Sequence, residues 1–174
     1  FLSLLLTTNF LFSTELTKAQ INDYVDSLGF SQEYYQIRNI KKLKSAFVNE
    51  LMPLIKQENM KIVQESQNVM HLLDKSYFEL DHTEKMYIAK IAKKYRIKNL
   101  YKKEQYLLHV APIPNSLVLA QAALESAWGK SRFVREANNI FGHWTYKGLG
   151  LVPKHRDFGK SHKLKLFKNL SASV

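Results

Sequence analysis

The stretch SLVLAQAALESAWGKSRFVREANNIFGHW, Ser116 to Trp144, decides how the chain is read. Its first half is an alanine-rich, mostly apolar run ending in one acid, Glu125. Asn115 or Ser116 can cap it and Gly129 can close it in a left-handed turn, so a helix is expected from there to about Ala127. Val118, Gln121 and Ala122 fall on the same helical face as Glu125. The small Ala120, Ala122 and Ala123 let neighbouring elements approach closely, so the helix is expected to be buried. Burial and the helix's carbonyl end both disfavour an ionised carboxylate. A glutamic acid kept protonated in this way suits a general acid that gives its proton to a leaving oxygen. Against this stands the plainer reading of a solvated glutamate paired with Lys130 or Arg132.

The second half changes character. Ser131 to Ala137 reads as a short helix. After Asn138 the glycines 142, 148, 150 and 159 and Pro153 divide the chain into short pieces. GLGLV and HKLKLF have the look of small β-strands. Trp128, Phe141, Trp144 and Tyr146 supply flat faces suited to sugar rings. Asn138 and Asn139 supply amides suited to hydroxyl and acetamido groups, although paired asparagines also shape turns. Between Lys147 and Lys168 there are seven Lys or Arg and one acid, Asp157, which makes a basic rim.

Upstream the chain is helical. From Gln32 to about Ser76 the apolar residues Leu43, Phe47, Leu51, Leu54, Ile55, Ile62, Met70 and Leu73 follow helical spacing, with Pro53 expected to kink the helix or start a new one. Asp81 and Glu84 form a capping-box pattern at the head of another helix, whose stripe is Tyr87, Ile88, Ile91 and Tyr95. Lys102 to Val110 reads as a short helix, followed by a turn at Pro112 and Pro114. Phe1 to Ser13 is an apolar run too short to span a bilayer and reads as part of a secretory signal, so export to the periplasm or cell envelope is expected.

Composition narrows the partners. The 174 residues hold 26 Lys and Arg against 15 Asp and Glu, a net charge of +11. Such a chain favours anionic polymers. No nucleic-acid motif accompanies the charge, so nucleic acid is not an expected partner. There is no cysteine, and His143, His155 and His162 match no zinc spacing, so neither a metal nor a cofactor is expected. Ser126 and Ser131 lack a nucleophile-elbow pattern. An integral membrane protein is not expected.

The segment Ser116–Trp144 resembles the active-site signature of the Bax-like bacterial glucosaminidases of glycoside hydrolase family 73. GLGLVPKHRDFGKSHKLKLF (Gly148–Phe167) resembles the continuation of that signature. The likeness is specific from about Pro112 onward. It implies a mainly α (α+β) architecture: a lysozyme-like helical lobe and a small β-lobe, preceded here by a long helical extension. The expected organisation is a partial signal peptide over 1–13, an N-terminal helical region over 14–80 and a glucosaminidase domain over 81–174, ending before the family's closing helices. The resemblance implies hydrolysis of the β-1,4 bond after N-acetylglucosamine in peptidoglycan glycan strands. It places the catalytic glutamate at Glu125, groove-shaping residues at Asn138, Asn139, Phe141 and Gly142, and Trp128 as packing behind the acid. Trp144 and Tyr146 join the expected substrate contacts. A second carboxylate is not evident, with Glu136 and Asp157 as the candidates. The substrate's acetamido oxygen or an activated water are the other routes. A muramidase or lytic transglycosylase on the same fold, and a non-catalytic peptidoglycan-binding module, are the competing readings.

Overall fold

The computed structural model of the chain describes residues 29–153, 156 and 158–174. The apolar run Phe1–Ser13 lies outside the described residues, as do Lys154, His155 and the candidate acid Asp157. Seven helices and a small sheet follow in order among the described residues: α1 (Gln32–Gln36), α2 (Ile40–Leu73), α3 (His82–Lys94), α4 (Lys103–His109), α5 (Asn115–Ser126), α6 (Arg132–Ala137), β1 (Trp144–Thr145), β2 (Gly150–Leu151), β3 (Lys163–Lys165) and α7 (Leu170–Ser173). The architecture is the expected one, mainly helical with a small β-element placed late in the chain.

The 34-residue α2 organises the rest. At about 1.5 Å per residue it is roughly 50 Å long. Asn39 caps its start, its side chain accepting from the Lys42 N–H at 3.0 Å. The helix runs through Pro53 as one element, so of the two expected outcomes, a kink or a new helix, Pro53 does not begin a new helix. Pro53 is exposed, so its ring faces solvent. The break falls earlier, at Ile37–Asn39, between α1 and α2.

Two cores share α2. Its first half contributes Phe47, Leu51 and Ile55 to a cluster with Phe30, Tyr34, Ala122, Ala123, Val134, Ile140 and Leu170. Its second half contributes Val69 to a cluster with Leu80, Ile88, Ile91, Ala92, Ile97, Tyr106 and Val110. Burial of side chains of this size stabilises by about 1.5–3 kcal/mol each before chain entropy is subtracted. The helix read from the sequence as an extension is therefore packed along its length, against α5 at one end and α3 and α4 at the other.

Local signals explain the helix starts. The capping box of α3 forms in full: the Asp81 carboxylate accepts from Glu84 N–H at 2.8 Å and the Glu84 carboxylate accepts in return from Asp81 N–H at 3.0 Å. Ser131 caps α6 by accepting from Val134 N–H. The head of α5 differs from expectation. Pro114 occupies the cap position and no side chain caps the helix. The Asn115 side chain instead accepts from Asn59 Nδ2 at 2.6 Å.

The sheet is antiparallel with β3 in the centre, order β1-β3-β2. Trp144 pairs with Leu164, and Leu151 pairs with Leu164 from the other side. Leu151, Leu164 and Leu166 close over Ala137 in a third, smaller cluster that joins the sheet to α6. The β1 strand was not anticipated from sequence, because two residues are too few to show alternation.

Candidate active site

Helix α5 ends abruptly. Ala127, Trp128 and Gly129 all have positive φ, at 51°, 54° and 72°. The sequence pointed to Gly129 as the left-handed residue. The left turn in fact begins two residues earlier, on non-glycine side chains, where it costs about 1–2 kcal/mol per residue. Several bonds hold it. Trp128 N–H reaches back to the Ala123 carbonyl at 2.9 Å, the long closing bond of a helix end. The buried Ser126 hydroxyl donates to the Ala122 carbonyl at 2.5 Å and accepts from Gly129 N–H at 2.8 Å. The Tyr34 hydroxyl donates to the Trp128 carbonyl at 2.6 Å. Ser126 is thus a turn-building residue. Strained backbone held by surrounding contacts is a common mark of functional sites.

This turn fixes the last turn of α5, and with it Glu125. Val118, Gln121 and Glu125, three and four residues apart, line one cleft of about 550 Å³. The other walls come from Phe141, Gly142, His143 and Trp144 at the entry to the sheet, from Ile55, Glu58, Asn59 and Ile62 of α2, and from Ile113 and Val174. The sequence therefore grouped Glu125 with Gln121 and Val118 correctly, but Ala122, placed on the same face, is buried and does not line the cleft. Burial was misjudged: Glu125 is exposed, while Ala122 and Ala123 behind it are the buried residues of the helix. Ala122 and Ala123 mark the back of α5, not the face that carries the acid, and Ala120 is exposed. The ion-pair alternatives are absent too. The Lys130 ammonium donates to the carbonyls of Tyr34, Tyr35 and Ile37, and Arg132 pairs with Glu136 at 2.9 Å. Among the described residues no cation lies within ion-pair distance of Glu125.

The expected sugar contacts divide. Phe141, Gly142 and Trp144 line the cleft with Glu125. Trp144 is 56% exposed, its ring tilted on that of His162 with centroids 4.2 Å apart. Tyr146 is 74% exposed and is not among the cleft-lining residues. Asn138 and Asn139 are not available to a ligand, and the reading of them as sugar contacts is corrected. Both are buried, with amides already committed to backbone. Asn139 Nδ2 donates to the carbonyls of His143 and Lys165, both at 2.9 Å, and its Oδ1 accepts from His143 N–H at 2.9 Å. Asn138 Nδ2 donates to the carbonyls of Phe167 and Lys168. The pair therefore builds the groove by tying the segment after α6 to β3 and to the Phe167–Lys168 backbone beyond it. Trp128 packs behind the turn, edge-on to Phe47 at 5.5 Å, with Lys44 4.7 Å above its ring.

Three polar residues that line the cleft were missed. His143 sits between Phe141 and Phe167, and burial of its ring, helped by the Lys165 charge, lowers its proton affinity below the ordinary imidazole value. Asn59 donates to the Ile113 carbonyl at 2.7 Å and accepts from Ile113 N–H at 3.1 Å, so α2 clamps the segment that enters α5. Glu58, one residue before it, brings a second carboxylate to the cleft. Of the carboxylates named from sequence, Glu136 is tied to Arg132 and does not line the cleft. No group of three potential metal ligands occurs among the described residues, and no helix there is long and apolar enough to cross a membrane.

Residues 98–174 match the model of the glucosaminidase family, described as mannosyl-glycoprotein endo-beta-N-acetylglucosaminidase. The chain is also 36% identical over 111 residues to Protein bax of Escherichia coli (strain K12). That alignment covers 60% of this chain and 39% of the relative, so the chain spans about two fifths of the length of the curated relative it matches. The resemblance read from Ser116–Trp144 to the Bax-like glucosaminidases is borne out. No solved structure matches.

Proposed function

We propose that the cleft is the active site of an exported peptidoglycan hydrolase. It cleaves the β-1,4 bond after N-acetylglucosamine, with Glu125 as the general acid. The observation that carries this reading is the placement of Glu125. It is a carboxyl without an ion-pair partner among the described residues, set on the cleft wall beside Phe141, Gly142 and Trp144, in a segment that matches the glucosaminidase model. The Phe141 and Trp144 rings offer apolar faces to sugar rings, and Gln121 offers an amide to a hydroxyl or acetamido group. A glycan seated in the cleft displaces water from around Glu125, so the carboxyl meets the leaving oxygen in the drier setting that proton transfer favours. The basic composition suits the acidic groups of a wall polymer. Hydrolysis consumes water and calls for no cofactor. The apolar run Phe1–Ser13 supports export to the periplasm or cell envelope.

The test is digestion of purified peptidoglycan by the full-length protein and by Glu125→Gln, with the products reduced by borohydride and weighed by mass spectrometry. New reducing-end N-acetylglucosamine from the wild type, reduced about 10²–10⁴-fold in the variant, is expected. Reducing or 1,6-anhydro N-acetylmuramic acid would instead make the protein a muramidase or a lytic transglycosylase on the same fold. Wall binding without release by the folded protein would make it a binding module. Full activity in Glu125→Gln would remove Glu125 from the chemistry.

A further inference from the structure

The inward stripe of α2 holds two acids where packing alone calls for apolar residues. Phe47, Leu51, Ile55, Glu58, Ile62, Glu65 and Val69 follow one another at intervals of three or four, so they share one helical face. Phe47, Leu51, Ile55 and Val69 are buried and Ile62 is half-buried. Polar residues on such a face need a reason. Glu65 has a structural one: both its oxygens accept from Lys94 at 2.7 Å, and one also accepts from the Tyr95 hydroxyl at 2.6 Å. Asn59 beside the stripe has one as well, through Ile113 and Asn115. Glu58 has none of this kind. Its Oε1 accepts from Lys61 one turn along the same helix, at 2.5 Å, and among the described residues its Oε2 accepts from nothing. An ion pair with a largely exposed lysine contributes little to stability. What Glu58 does have is a place on the wall of the Glu125 cleft.

We infer that Glu58 is the second catalytic carboxylate, acting as general base on the attacking water. The inference rests on the reading of Glu125 as the general acid. The cleft's two carboxylates come from different helices, Glu58 from α2 and Glu125 from α5, and both line the same cleft of about 550 Å³. In the reaction Glu125 gives its proton to the glycosidic oxygen and the C1–O bond breaks. Glu58 takes a proton from water, whose oxygen bonds to C1 on the opposite face. One water is consumed, a hydroxyl forms on the leaving sugar, and the configuration at C1 is inverted. Glu58 lies outside residues 98–174, so this makes α2 a working part of the site and not only its support.

The experiment compares Glu58→Gln, Glu58→Ala, Glu125→Gln and Glu136→Gln in the full-length protein on a soluble glycan fragment, after circular dichroism and melting have shown each to be folded. The expected result for Glu58→Gln is a fall in kcat of roughly 10²–10⁴-fold with KM little changed. Glu136→Gln should match the wild type, since Glu136 does not line the cleft. Azide should restore turnover to Glu58→Ala by attacking C1 in place of water, giving a glycosyl azide, and nuclear magnetic resonance of the wild-type reaction should show the inverted anomer first. An active Glu58→Gln beside an inactive Glu125→Gln would overturn the role of Glu58 alone. A folded but inactive Glu58→Ala that azide does not rescue, or a retained anomer, would also overturn it. An active Glu125→Gln would instead remove the reading beneath it.

Discussion

The hydroxyl of Tyr34 donates to the backbone carbonyl of Trp128 at 2.6 Å, joining positions 94 apart in the chain. The Tyr34 ring stacks on Phe30 with centroids 4.1 Å apart, and burial raises the phenol's pKa well above its ordinary value, so it stays a donor. This contact ties α1 to the strained turn that aims Glu125, beside the bonds from the Lys130 ammonium to the Tyr34 and Tyr35 carbonyls. Tyr34→Phe keeps the stacking and removes only the bond. It should cost about 1–3 kcal/mol, because the Trp128 carbonyl is left without its partner. In a chain of this size that is a fall in Tm of about 2–4 °C per kcal/mol. Thermal melting checks it, and an unchanged Tm would mean that the turn does not depend on the bond.

Two glycines in the left-handed region separate strain from crowding. A Cβ on Gly129 would stand 2.7 Å from Phe30 Cε2 and 3.0 Å from the Tyr34 hydroxyl, at φ 72°. A Cβ on Gly142, at φ 67°, would meet nothing within 4 Å. Gly142→Ala should therefore cost only backbone strain, about 1–2 kcal/mol. Gly129→Ala should add about 1–3 kcal/mol of overpacking against buried rings. Paired denaturant titrations give the order, and equal costs would show that Phe30 and Tyr34 move aside freely.

Asn139→Ala should unfold the cleft wall rather than merely weaken substrate binding. Its amide serves His143 and Lys165 through three bonds at 2.9 Å. Losing them takes these bonds from the His143 N–H and the Lys165 carbonyl, while the His143 carbonyl keeps its bond from Lys165 N–H, for roughly 2–4 kcal/mol in total. Asn139→Asp should be worse, since a buried carboxylate would face the two carbonyl oxygens that Nδ2 now satisfies. Melting curves decide this. A fully stable Asn139→Ala with weaker glycan binding would return Asn139 to the role of sugar contact.

What could be read in the sequence was local. The capping box at Asp81 and Glu84 and the common face of Val118, Gln121 and Glu125 depend only on residues a few positions apart. Burial was harder, because it depends on which face meets another element. Ala122 and Ala123 of α5 reported close packing correctly, but on the side away from Glu125, and Ala120 is exposed. Asn138 and Asn139 were visible as an unusual pair. That their amides point into backbone and not into the groove depends on β3 and the Phe167–Lys168 backbone after it, which come later in the chain. Glu58 was hardest. Its misfit within the Phe47–Val69 stripe could have been noticed, but Glu65 shares that misfit for a purely structural reason. Only the docking of α2 against α5 separates the two.

His143 links the cleft to pH. Much of the residue meets solvent, yet its ring is flanked by Phe141 at 6.0 Å and Phe167 at 5.5 Å between centroids. Burial of the ring, then the Lys165 charge, lowers its pKa below the ordinary imidazole value of 6.5. A base with a depressed folded pKa binds fewer protons in the folded state than in the unfolded one. Its contribution to stability is therefore present above the unfolded value of about 6.5 and is lost as pH falls through the lower folded value. The imidazole titration measured by nuclear magnetic resonance should have its midpoint below about 6.5. Lys165→Met should raise it only in part, since burial is the larger cause. In thermal melts from neutral to mildly acidic pH, His143→Phe should lose stability less steeply than the wild type as the pH falls. Parallel slopes, or a midpoint at or above the ordinary imidazole value, would mean that the flanking rings leave the imidazole fully hydrated and that the acid sensitivity of the cleft lies elsewhere.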